Sequence, residues 1–211
     1  MQESAETGLR ERKKLDTRRA LSDAALQLAF DRGGLDAVTR EEIAALAGVS
    51  LRTFNNYFSG KYEALAYRIA ERMQRSVATF RSRPVDEPLW TSIIVAVTGT
   101  LEEEMVDITG ADLIPDRREL VEVRKLLMRT EVRNAVPQIL YQDWVAAIAE
   151  RTGLGPDDMY PRLVVAVVRA IGDTAMEAYA NADPPVAITQ LMRAGFDAVI
   201  AGLPEPTSTK E

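Results

Sequence analysis

Between residues 40 and 61, eight side chains are of the types that read or grip a nucleic-acid duplex: Arg40, Leu51, Arg52, Thr53, Asn55, Asn56, Tyr57 and Lys61. An arginine fork matches the O6 and N7 of guanine, and an asparagine amide matches the N6 and N7 of adenine. Threonine, tyrosine and lysine are phosphate partners, which fix position and carry no sequence information. Leu51 has the shape to meet a thymine methyl. The chemistry implied is hydrogen bonding to base edges and backbone anchoring, with no bond made or broken.

Such groups read a groove only if a short helix presents them, and the surrounding residues predict one. Thr39 and Glu42 form a T-x-x-E capping box, so a helix starts at Arg40. Ile43, Leu46 and Ala47 give it an apolar stripe. Ala44 is small, as a close helix crossing requires. Gly48 suits the left-handed turn that ends the helix. Val49 fills the space between two helices, and Ser50 caps the second. Phe54 and Phe58, four apart, face inward, which leaves the polar set outside. This is the pattern of a helix-turn-helix.

Composition bounds the rest. The chain has 211 residues, a net charge of −6, 46% hydrophobic and 27% charged residues, and no Cys or His. A chain of this length buries about 70% of its unfolded surface, and one or two domains are expected. Without Cys or His there is no disulfide, no Cys/His zinc site and no His-based catalytic triad. No metal, cofactor or catalytic residue is expected. The segment LRERKKLDTRR, from Leu9 to Arg19, concentrates six basic residues against Glu11 and Asp16 in an otherwise acidic chain. It reads as a flexible basic arm or as a solvated tail. The polar N-terminus predicts no secretory leader, and no apolar run reaches the length that spans a bilayer. A cytoplasmic protein without membrane attachment is expected.

Helical periodicity recurs throughout, so the fold class is all-α. A first helix is predicted over 16–32, with Leu21, Ala24, Ala25 and Leu28 inward. After the helix-turn-helix, a long helix from Lys61 carries Leu65, Ile69, Met73, Val77 and Phe80. Later helices carry Trp90 to Met105, Leu120 to Leu127, Leu140 to Arg151, Leu163 to Ala180 and Ile188 to Ile200. The predicted organisation is an arm over 1–15, a helix-turn-helix domain over 16–62, a ligand-binding and dimerisation domain over 63–203 and a polar tail over 204–211. Leu163 to Ala180 is apolar nearly all round, and the last helix has a broad apolar face broken by Ala194, Gly195 and Ala198. A buried central helix within one domain accounts for the first feature; a two-fold four-helix interface accounts for both, with Val164, Val168, Ile171, Leu191, Phe196 and Val199 as its candidates.

From Thr17 to Leu65 the chain resembles the TetR family of bacterial transcriptional regulators. The signature is T-x-x-x-I-A-x-x-A-G-V-S-x-x-T-F-x-x-Y-F-x-x-K. The resemblance implies about nine helices, DNA contacts from the eight residues named above, and a homodimer on a palindromic double-stranded operator. It also implies a repressor released by a small molecule bound in the C-terminal domain. Asn55 stands where the family commonly has an aromatic residue, and Gly33–Gly34 replace a single glycine. RPVDEP and ERTGLGPDDMYPRLVVAVVRA resemble regulators with acyl-CoA-like ligand-binding domains, which implies a small hydrophobic or acyl-CoA-like effector. Candidate pocket residues are Trp90, Ile94, Val97, Leu120, Leu127, Tyr141, Trp144, Met176 and Tyr179, with Arg117, Arg118 and Arg124 for its anionic groups. Two other classes are compatible with helices alone. One is an interaction protein without DNA binding. The other is a carboxylate-based helical enzyme using Asp173 and Glu177, which lie four apart.

Overall fold

The structure, a computed structural model, describes residues 2–109, 131–132, 138–184 and 186–205. The described residues contain eight α-helices, one 3-10 turn and no strand. They fall into two compact units; one boundary lies between Arg72 and Met73 inside a continuous helix, and residues 131–132 and Gln138 belong with the first unit. The division predicted at 62/63 therefore lies about three turns further along.

The first unit contains α1 (Gln2–Asp31), a 3-10 turn (Leu35–Ala37), α2 (Arg40–Leu46), α3 (Leu51–Tyr57) and the first half of α4 (Lys61–Ser82). α1 packs on the 3-10 turn and α2, and α2 packs on α3. α1 corrects the expected flexible arm, because residues 2–15 continue the helix. The reason is local: the stretch holds three Glu, two Lys, two Arg and two Leu and has no proline, so good helix formers make up most of it. Leu21, Ala24 and Ala25 are buried, as are Leu35, Val38, Ile43, Ala44, Phe54, Phe58, Ala64 and Leu65. Leu46 departs from its assigned stripe and is 46% exposed; its position on the last turn of a seven-residue helix turns it outward.

The second unit contains the rest of α4, α5 (Leu89–Thr109), α6 (Gln138–Thr152), α7 (Met159–Asn181) and α8 (Ile188–Ile200). α8 packs on α7 and α5. One core joins Val77 and Phe80 of α4, Ile93 and Ala96 of α5, and Trp144 and Ile148 of α6 to Val164, Ile171 and Tyr179 of α7 and Met192 and Phe196 of α8. The expected helix from Leu120 to Leu127 lies outside the described residues.

A polar clasp holds the α4–α5 turn within this unit. Arg83 pairs with Glu87 through two of its guanidinium nitrogens, and Ser92 donates to Glu87 at 2.5 Å. Arg151, in the last turn of α6, donates to the carbonyls of Arg83, Pro84 and Glu87 and to Ser92 Oγ. Its guanidinium also lies 5.6 Å from the Phe80 ring centre. Arg83, then Ser92, hold the Glu87 carboxyl at about 2.

Candidate nucleic-acid interface

Each turn of α2 and α3 is fixed by a cap. The Thr39 amide donates to Glu42 Oε2 at 2.9 Å, and the Glu42 amide donates to Thr39 Oγ1 at 3.2 Å. The Thr39 amide, then its hydroxyl, and then Arg32 hold the Glu42 carboxyl below its ordinary range. At the far end of α2, Gly48 has φ +69°. Its amide reaches the Ala45 carbonyl at 3.1 Å and the Val49 amide reaches Ala44 at 2.9 Å. These are the two bonds of a Schellman ending. Ser50 Oγ accepts from the Thr53 amide at 3.1 Å and starts α3. Phe54 and Phe58 then anchor the helix, both buried, with ring centres 5.9 Å apart.

With that face inward, α3 turns the others outward. Arg52, Asn55 and Asn56 are exposed, and Leu51, Thr53 and Tyr57 are half-buried. Arg40, exposed at the start of α2, donates to Asn55 Oδ1 at 3.3 Å. The structure thus brings seven of the eight residues to two helices that share one turn.

Lys61 is engaged elsewhere. Its ammonium donates to the carbonyls of Asp36 at 3.0 Å and Val38 at 2.8 Å. It ties the first turn of α4 to the end of the 3-10 turn, a role that the sequence pattern did not show. Tyr62 adds a second tie by donating to Asp36 Oδ1 at 2.6 Å.

Arg18 was not singled out from the sequence. Its guanidinium lies 5.7 Å from the Tyr57 ring centre and 6.0 Å from that of Tyr67, within the range of a cation–π contact. The basic run in α1 was the signal that could have found it. Its neighbour Arg19 instead pairs with Glu71 at 3.0 Å.

The candidate residues of the second unit divide differently. Trp90, Ile94, Val97, Trp144, Met176 and Tyr179 belong to one apolar cluster. Tyr141 lies apart, with the Arg169 guanidinium 5.0 Å from its ring centre. Leu120, Leu127, Arg117, Arg118 and Arg124 lie outside the described residues. Of the interface candidates, Val164, Ile171 and Phe196 are buried in the chain's own core, and Val168, Leu191 and Val199 pack against it. Val164, Ile171 and Phe196 are thus covered by this chain itself, whereas Val168, Leu191 and Val199 stay half-buried. Asp173 lies 4.0 Å from Arg169, and among the described residues no three His, Cys, Asp or Glu side chains are grouped to hold a metal. No described helix is long and apolar enough to cross a membrane.

Comparison with known proteins agrees with this geometry. Residues 132–204 match the family described as MftR C-terminal domain. The chain is 33% identical over 182 residues to the HTH-type transcriptional regulator TcmR of Streptomyces glaucescens, covering 83% of this chain and 79% of that protein. The fold is that of the Thermus thermophilus FadR, a TetR-family repressor solved with lauroyl-CoA. The TM-score is 0.55 at 17% identity, over 92% of this chain and 98% of that one. A TetR-family regulator from Streptomyces coelicolor matches with a TM-score of 0.51 at 24% identity, over 89% and 86% of the two chains. Residues 21–67, which contain the capped α2–α3 pair and its outward donors, match the bacterial regulatory proteins of the tetR family, and the chain belongs to that family of DNA-binding transcriptional regulators.

Proposed function

We propose that this regulator is a homodimeric repressor that leaves its operator when a small hydrophobic or acyl-CoA-like effector binds its C-terminal unit. The observation that carries the DNA half is the outward set of α3, a helix capped by Ser50 and packed on α2, which is capped at both ends. A preorganised helix loses little entropy on docking, so its donors act as a template for base edges.

Homodimerisation is supported by a face of α7 that the described residues leave uncovered. Met159, Leu163, Ala166, Ala170 and Thr174 recur at three- and four-residue spacing and are all exposed, Leu163 by 53%. Ala194 and Ala198 on α8 are exposed as well. Large apolar side chains at one end and alanines along the rest let a second copy approach closely, and a two-fold axis gives paired recognition helices for paired half-sites. The effector class is supported by the apolar cluster around Trp90, Trp144 and Tyr179 and by the lauroyl-CoA bound to the Thermus thermophilus FadR.

The test is an anisotropy titration on a duplex selected by the protein from a random-sequence library, repeated with lauroyl-CoA. A salt-sensitive, specific complex that lauroyl-CoA dissociates and free CoA does not supports the whole reading. A specific complex indifferent to both removes the effector class. Dissociation demands a ligand that prefers the DNA-incompetent state.

A further inference from the structure

The helical extension of α1 carries a second basic feature, which meets α3 at one end through Arg18. Leu21 and Ala25 are buried along one stripe of α1. Counting back in steps of three and four, that stripe passes through Arg18, Lys14 and Arg10, all exposed. Arg18 meets Tyr57, the last residue of α3. Arg10 then lies about 12 Å further along α1 than Arg18, at about 1.5 Å per residue. Arg12 and Arg19 lie on the opposite side of α1, where Arg19 meets Glu71.

We propose that Arg10, Lys14 and Arg18 form a phosphate-binding ridge, through which α1 grips the duplex backbone next to the segment read by α3. This rests on the DNA-binding reading of α3 and adds a second contact to it. Charge on this ridge has a purpose in a chain of net charge −6, because backbone affinity depends on local cations and the counterions they release. The ridge carries no base specificity, since lysine and arginine on phosphate set position only.

The experiment measures the salt dependence of binding to the selected duplex for wild type, for Arg10→Gln/Lys14→Gln and for Arg12→Gln/Lys13→Gln. Glutamine keeps helix propensity close to that of the residues it replaces, and circular dichroism checks that α1 persists. Each phosphate contact contributes about 0.9 to the slope, so the first pair should flatten it by about 1.8 per protomer. Between 50 and 200 mM salt that is about a twelvefold smaller loss of affinity per protomer than for wild type. The second pair removes the same charge from other faces of the helix and should change the slope by less than half as much. Trimming the duplex to the segment protected by α3 removes the phosphates of all three ridge residues and should flatten the wild-type slope by about 2.7 per protomer, with no substitution involved. Equal flattening by both pairs reduces the effect to bulk charge and overturns the ridge, as does no flattening by either. A library that yields no enriched duplex would instead sink the DNA reading itself, and the ridge with it.

Discussion

Gly195 in α8 offers a sharp test of how α7 and α8 pack. A Cβ added there would lie 2.8 Å from Ile171 Cγ2 on α7, whereas carbon atoms rest about 3.5–4.0 Å apart. Two effects oppose each other in Gly195→Ala. Helix propensity favours alanine by about 0.8–1.0 kcal/mol. Overpacking a filled core costs about 1–3 kcal/mol. Ile171 is buried between the helices and its β-branch is stiff, so the clash should win, with a net loss of about 1 kcal/mol. For a chain of this size that lowers the melting temperature by about 2–4 °C. Ile171→Leu moves the branch away from Cβ at nearly constant volume and should relieve the contact. In that background Gly195→Ala should be neutral or stabilising. Urea unfolding of the four proteins at one fixed concentration closes the double-mutant cycle, with an expected coupling of about 1–2 kcal/mol. Stabilisation of equal size in both backgrounds would show that Ile171 does not limit the approach of α8.

Lys61→Met should lower the stability by about 1–3 kcal/mol, because the Asp36 and Val38 carbonyls lose a charged donor; urea unfolding reads this with no DNA present. Glu87 is held at about 2 in the folded protein against an ordinary 4.5, so it stabilises fully above about 4.5 and its contribution is lost as the pH falls through about 2. Glu87→Gln should therefore flatten the loss of stability with falling pH across that window, measured by thermal melts from pH 5 to 2. Leu163→Glu should shift the protein to monomer in light scattering while leaving helicity intact; an unchanged dimer would remove the α7 face from the proposed interface. Asn56→Ala should relax the preference for A·T at one position per half-site, at about 1–3 kcal/mol, whereas Asn55→Ala should weaken selected and scrambled duplexes alike; selection repeated with each variant distinguishes them.

What was legible in the sequence is what the chain decides locally. Thr39, Glu42, Gly48 and Ser50 act on amides and carbonyls within five residues of themselves, so their order alone located both ends of α2 and the start of α3. The buried side of α3 was legible too, since Phe54 and Phe58 are four apart on a seven-residue helix. The missed contacts reach across the fold. Lys61 meets carbonyls 25 and 23 positions away, and Arg151 reaches Arg83 across 68; periodicity carries no trace of either. Val164, Ile171 and Phe196 show another limit. An apolar stripe says that a face is buried, but not whether the same chain or a second copy covers it. The covering element here is intramolecular, and the face left open is marked by small residues that hydrophobic patterning ranks low.

The Arg40–Asn55 contact also bears on how the interface divides its work. Arginine can only donate, so the Asn55 atom facing it must be the amide oxygen. That oxygen is the group an asparagine needs to accept from adenine N6. Its amide nitrogen can still donate outward, and a donor alone suits a phosphate or a single purine acceptor. Among the described residues, no hydrogen bond or ion pair engages the Asn56 or Arg52 side chains, so both keep the paired groups that bidentate base reading requires. They must also lose more side-chain freedom on binding than Arg40 or Asn55, which are already held. The two kinds of residue therefore act differently. In the proposed interface Arg40 and Asn55 would hold α2 and α3 in register at little entropic cost to binding, and Arg52 and Asn56 would carry the discrimination between bases.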